Sequence, residues 1–155
     1  MGFKISRSQS LIEIISKFPL AGLPIEEFEE YKQACLDYGD IPTPPIVVQL
    51  GHPAHIDTIG RDKLMERPNQ ARSEELHHVH IWQEGCCWED ADGIKVQWAS
   101  TSDSYVVYSY FVDKDGDHHF YVIDFCRDKA HKIIEDESQV REWTQIAKEF
   151  RVSNQ

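Results

Sequence analysis

The chain has 155 residues, with 16 Lys and Arg against 27 Asp and Glu, for a formal charge of −11. That length suits one domain able to bury roughly 68–70% of its unfolded surface, and a 41% hydrophobic fraction with seven Phe, six Tyr and four Trp excludes a disordered chain. The acidic balance repels nucleic acid at long range and favours basic partners, so any nucleic-acid function must be local or assisted.

The longest apolar runs, at 11–15 and 105–112, fall well short of the roughly 20 residues that cross a bilayer. No membrane association is therefore expected. The opening residues carry no apolar stretch of signal-peptide type, which leads us to expect a cytoplasmic protein. Cys35, Cys86, Cys87 and Cys126 show no C-x-x-C spacing, so reduced thiols are expected rather than a zinc ribbon or a disulfide framework.

Phe3, Lys4 and Ile5 read as a short edge strand. Leu11, Ile12, Ile14, Ile15 and Phe18 then fall at helical spacing behind Ser8 or Ser10 as N-cap, and Pro19 closes that helix. A second helix is expected from Pro24 to Gly39, with Ile25, Phe28, Tyr31, Cys35 and Tyr38 as its apolar stripe and four glutamates on a solvated face. Residues 40–59 contain Pro42, Pro44, Pro45 and Pro53 and read as a long loop or insertion, although 46–50 has strand composition. His52 and His55 inside it are expected to be exposed. Gly60, Arg61 and Asp62 read as a turn, in which the arginine fork has the geometry to hold a phosphate.

The most informative stretch is Leu76, His77, His78, Val79, His80, Ile81. As a strand it directs Val79 and Ile81 to one face and His78 and His80 to the other. Two imidazoles one residue apart point to acid/base chemistry or metal binding. Two rival readings stand beside these: structural or exposed histidines, and a zinc site completed by a third ligand. Asp92 and Gly93 mark a turn, 94–98 reads as a strand, and Ser100, Thr101, Ser102 and Asp103 cluster at its end. The runs 105–112 and 119–125 form a hairpin about Asp113, Lys114, Asp115, Gly116 and Asp117, and their apolar residues on both faces make them central strands. The hairpin aspartates mimic calcium-loop spacing, but His118 stands where that loop requires glycine. His118 and His119 are expected to be exposed. Asp136 and Gln139 suggest a capping box for a last helix whose apolar face is Val140, Trp143, Ala147 and Phe150. The expected architecture is α+β: N-terminal helices, an antiparallel sheet of about four strands, and a C-terminal helix packed on it.

Tyr31 with Lys32, Gly60-Arg61-Asp62, His78-Val79-His80-Ile81, Thr101-Ser102-Asp103, Val107-Tyr108, His131-Lys132, Gln139 and Ala147-Lys148-Glu149-Phe150-Arg151 occur in that order. Together they resemble the YafO family of bacterial toxins over about residues 25–151. The resemblance implies one RelE/ParE-like toxin domain over 1–155 with 40–59 as an insertion. It also implies a type II toxin–antitoxin toxin: an mRNA interferase that cleaves translated message at the ribosome, is restrained by a cognate antitoxin and needs no cofactor. A homodimer is left open. RNA is cut without metal when a base takes the ribose 2′-OH proton, an acid protonates the leaving 5′-oxygen and cations steady the phosphorus centre. On that expectation His78 and His80 are acid/base candidates and Arg61 the phosphate clamp. His131 with Lys132 supplies a second donor or phosphate contact, and Asp62, Thr101 and Asp103 bind substrate, with Asp103 also able to orient a histidine tautomer. The chain departs from the family pattern at Ser100, where arginine is common. The alternative is a catalytically inactive relative acting as an acidic protein-binding module.

Overall fold

A computed structural model describes residues 2–155. Its centre is the hairpin of β4 (Tyr105–Val112) and β5 (His118–Cys126), closed where Asp113 Oδ1 accepts the N–H groups of Asp115 and Asp117 and Gly116 takes φ +82°. β1 (Phe3–Arg7), β2 (Ile59–Leu64) and β3 (Leu76–Ile81) complete an open sheet in the order β1-β5-β4-β3-β2. β1 pairs parallel to β5 and every other pair is antiparallel. The sheet is thus mixed and five-stranded, where an antiparallel one of about four strands is expected from the sequence. β2 lies at the stretch read as a turn: Gly60 forms a β-bulge there, shown by the register shift between Ile59 and Asp62.

Apolar residues on both faces of the central strands require cover on both sides. On one face α1 (Gln9–Lys17) and α2 (Gly22–Asp37) bring Leu11, Ile25, Phe28, Tyr31 and Cys35 against Val79, Ile81, Val106, Tyr108, Phe120 and Val122. Ser8 is the N-cap of α1, accepting Leu11 N–H while donating to Ile123 O, which ties the helix start to the sheet. On the other face α6 (Glu137–Asn154) packs Val140, Trp143 and Ala147 over Leu76, Val107, Ile123 and Cys126. Each fully buried large side chain stabilises by about 1.5–3 kcal/mol; Trp143 also donates Nε1–H to Asp124 Oδ2 at 3.0 Å. Asp136 caps α6 through Ser138 N–H, but Gln139 turns to Glu142, so the capping box is one-sided.

Several local expectations fail for tertiary reasons. Residues 46–50 lie in a helix, α3 (Ile46–Gly51), because Gln49 grips the edge of β2: its Nε2 donates to Asp62 O at 2.9 Å and its Oε1 accepts Asp62 N–H at 3.1 Å. Ile46, Val47 and Leu50 are left exposed. Residues 94–98 form no strand; Gln97 N and Trp98 N bond to His52 O and Gln49 O, and the Gln97 amide reaches Gly60 O and the Tyr31 hydroxyl. His52 and His55 are exposed as read, but Tyr38 leaves the α2 stripe and stacks on His55. His119 is buried, donating Nε2–H to Asp113 Oδ2 at 2.7 Å and stacked on Phe111. Two short helices, α4 (Asn69–Ser73) and α5 (Ala130–Ile134), complete the second face.

Candidate active site

β3 alternates as its sequence demands: Val79 and Ile81 enter the α1/α2 core, and His78 and His80 face the opposite side. The two rings lie 5.7 Å apart, and Tyr105 from β4 packs on both, at 4.8 and 4.4 Å. Next to them the β2 bulge decides which side chains reach the same face. Gly60 sits so close to the 97–101 loop that a Cβ would stand 2.1 Å from Ser100 O. The following Arg61 N–H donates to that same carbonyl at 2.9 Å. Ser100 itself is buried, its hydroxyl bonded to Val96 O, and its carbonyl is the backbone seat of Arg61.

Arg61 Nε donates to Trp98 O at 2.6 Å and the guanidinium lies 4.4 Å over the Trp98 ring. One edge of the fork is thereby fixed, while its two terminal nitrogens make no hydrogen bond to the described residues. Arg61, His78, His80, Thr101, Asp103 and His131 line one cleft of about 600 Å³. Lys63, Ser102 and Tyr105 line it too, and a neighbouring hollow of about 280 Å³ shares Lys63 and His78 and adds Arg67. Arg61, Lys63 and Arg67 make a local cationic stripe on a chain of charge −11.

Burial, with the His80 charge adding, pushes the His78 imidazole down to about 3; burial and then the Arg61 cation push His80 down to about 4. Both rings are neutral at pH 7. Burial likewise lifts the Tyr105 phenol to about 12, with Asp103 contributing, so it keeps its proton. His78 Nδ1 is sealed from solvent with no hydrogen-bond partner among the described residues. His80 Nδ1 lies 2.8 Å from Ser102 N.

Not every expected residue joins the cleft. Asp62 is on the other face of β2, buried against Lys32, because a strand sends neighbours to opposite sides where a turn would not. Lys132 lies on α5 beside His131 but is exposed and outside the cleft lining. Asp103 orients no histidine ring: its Oδ1 accepts His131 N–H at 2.8 Å and its carbonyl accepts Ala130 N–H, which seats α5 at the cleft rim. His131 is largely exposed there, 3.3 Å from Glu135. Lys63, Ser102 and Tyr105 escaped the sequence reading; the period-two pair Arg61-x-Lys63 would have shown Lys63 once 59–64 was seen as a strand. Among the described residues no group of three or more His, Cys, Asp or Glu is placed to hold a metal ion.

The family model described as toxin YafO of type II toxin–antitoxin systems matches residues 29–152. The chain belongs to the YafO toxin family. The matched region runs from within α2 to the last turn of α6 and contains every cleft residue named above, whereas β1 and α1 precede it. No curated protein and no solved structure matches the chain. Membership in the YafO family carries with it a toxin role in a type II module, and hence an antitoxin partner. Among the described residues no helix is long and apolar enough to cross a membrane.

Proposed function

We propose that this YafO-family toxin is a ribosome-dependent mRNA endoribonuclease of the cytoplasm, neutralised by its cognate antitoxin. The observation that carries the reading is Arg61: a guanidinium pinned through Nε, with its terminal nitrogens open to a cleft shared with two neutral histidines. A phosphodiester entering that cleft meets a bidentate cation first. The ribose 2′-oxygen then attacks phosphorus as its proton passes to a cleft imidazole, the P–O5′ bond breaks, and the 5′-oxygen takes a proton. His78 and His80 line the reacting centre, His131 at the rim is the second donor, and Lys63 adds charge stabilisation. Thr101 and Asp103 border the ribose.

Dependence on the ribosome follows from charge. Affinity for free RNA rests on Lys/Arg–phosphate contacts, and a chain at −11 with one short cationic stripe gathers few of them. Message already held in a translating ribosome presents its backbone without that long-range attraction.

The test is induction of the wild type beside His78→Ala/His80→Ala, following growth and mapping 5′ ends of cellular mRNA. Growth arrest by the wild type alone, with new 5′ ends inside translated frames, is the expected result. Intact growth and message with soluble wild type would overturn the proposal.

A further inference from the structure

His80 has a hydrogen bond that decides which of its nitrogens carries the proton. Its Nδ1 lies 2.8 Å from Ser102 N and 3.1 Å from Ser102 O. A backbone amide can only donate, so the shorter contact requires a lone pair on Nδ1; a proton there would meet the amide hydrogen head-on and leave Ser102 N–H without an acceptor. The neutral ring must then carry its hydrogen on Nε2. Two further features hold it neutral: the ring is 5% exposed, and Arg61 shares its cleft.

We propose that Ser102 locks His80 as the Nε2–H tautomer and that His80 acts as a neutral hydrogen-bond donor to a non-bridging phosphate oxygen, neither base nor acid. This deepens the endoribonuclease reading and rests on it. As a base, His80 would need a lone pair on Nε2, which this tautomer lacks. As an acid it would end as an imidazolate, a strongly basic anion that a buried neutral ring does not readily form. What remains is what a fixed neutral imidazole does well: it presents a preorganised dipole to charge that grows on phosphoryl oxygen. No bond to His80 is made or broken. Proton transfer is left to His78, whose tautomer no partner fixes, and to His131 at the rim. The titratable groups that line the cleft with His80 are Arg61 and Lys63 on β2, His78 on β3, Tyr105 on β4, Asp103 before β4 and His131 on α5; among the described residues none of them is hydrogen-bonded to Nδ1.

Two measurements test the two halves of the proposal. Nitrogen-15 NMR of the histidine rings in the full chain reads the tautomer without any reaction: at pH 7, Nδ1 of His80 should show the shift of an unprotonated acceptor and Nε2 that of an N–H. A proton on Nδ1, or an imidazolium, overturns the lock. The second measurement compares His80→Gln and His80→Ala, each confirmed folded by thermal melting, for cleavage of message in a translating extract. Gln places an amide N–H near the Nε2 position but cannot exchange a proton, so it should retain cleavage within about tenfold of wild type while Ala loses about 10²–10³-fold, the usual cost of one such donor. Gln as inactive as Ala overturns the donor role. A wild-type chain that cleaves nothing overturns the endoribonuclease reading and with it the donor role; the NMR result still decides the tautomer.

Discussion

The two faces of the β2–β3 ribbon carry polar clusters of opposite character. On the α2 side Lys32 Nζ donates to Asp62 Oδ2 at 2.7 Å, Pro42 O at 2.6 Å and Tyr108 OH at 2.7 Å, which uses all three of its hydrogens. Asp62 also accepts from the hydroxyls of Tyr31 and Tyr108, and Thr43 extends the network to His77 and Glu75. On the cleft side Arg61 keeps two nitrogens open and His78 Nδ1 is orphaned. A saturated network organises the fold; one with unfilled valences is prepared for a ligand. Adjacent residues of one strand, Arg61 and Asp62, serve the two purposes.

That contrast can be broken most forcefully at Asp62. Asp62→Ala leaves the Lys32 charge sealed in the core and should cost about 3–5 kcal/mol by denaturant unfolding. The double variant Lys32→Met/Asp62→Leu should recover most of that loss, because it removes both charges; no recovery would show that the network contributes more than charge pairing. Arg61→Ala should behave in the opposite way, lowering cleavage of translated message about 10²–10³-fold with little change in melting temperature. A large stability loss there would assign Arg61 to the fold instead.

Gly60→Ala probes the joint between the faces. Its Cβ meets the Ser100 carbonyl, so the bulge must shift, and a destabilisation of about 1–3 kcal/mol is expected in chemical denaturation together with displacement of Arg61. A further handle on the cleft side is pH. His78 and His80 titrate near 6.5 when unfolded and near 3 and 4 when folded. As pH drops below about 6.5 the unfolded chain binds protons that the folded chain refuses, so stability declines from there toward pH 4. Melting temperatures of His78→Gln/His80→Gln across that window should fall less steeply than those of wild type. Equal slopes would mean that the two rings titrate normally in the folded protein.

Local pattern determined a good part of this molecule. The alternation in Leu76 to Ile81 set the His78/His80 pair on one face, the hairpin residues about Gly116 set β4 and β5, and the 3.6-residue spacing of Val140, Trp143 and Ala147 set α6. Those signals are legible because each depends on neighbours within one element. Tertiary structure decided the rest through contacts distant in sequence. Gln49 turned an apolar β-branched stretch into a helix by docking its amide on β2, and the Gly60–Ser100 approach made a strand of an apparent turn. That strand carried Asp62 away from the cleft and brought Lys63 into it. The Ser102 amide, 22 positions from His80, fixed a tautomer that no spacing encodes. Bulges, side-chain docking onto backbone and tautomer locks all depend on which distant groups meet, and that is settled only when the sheet closes.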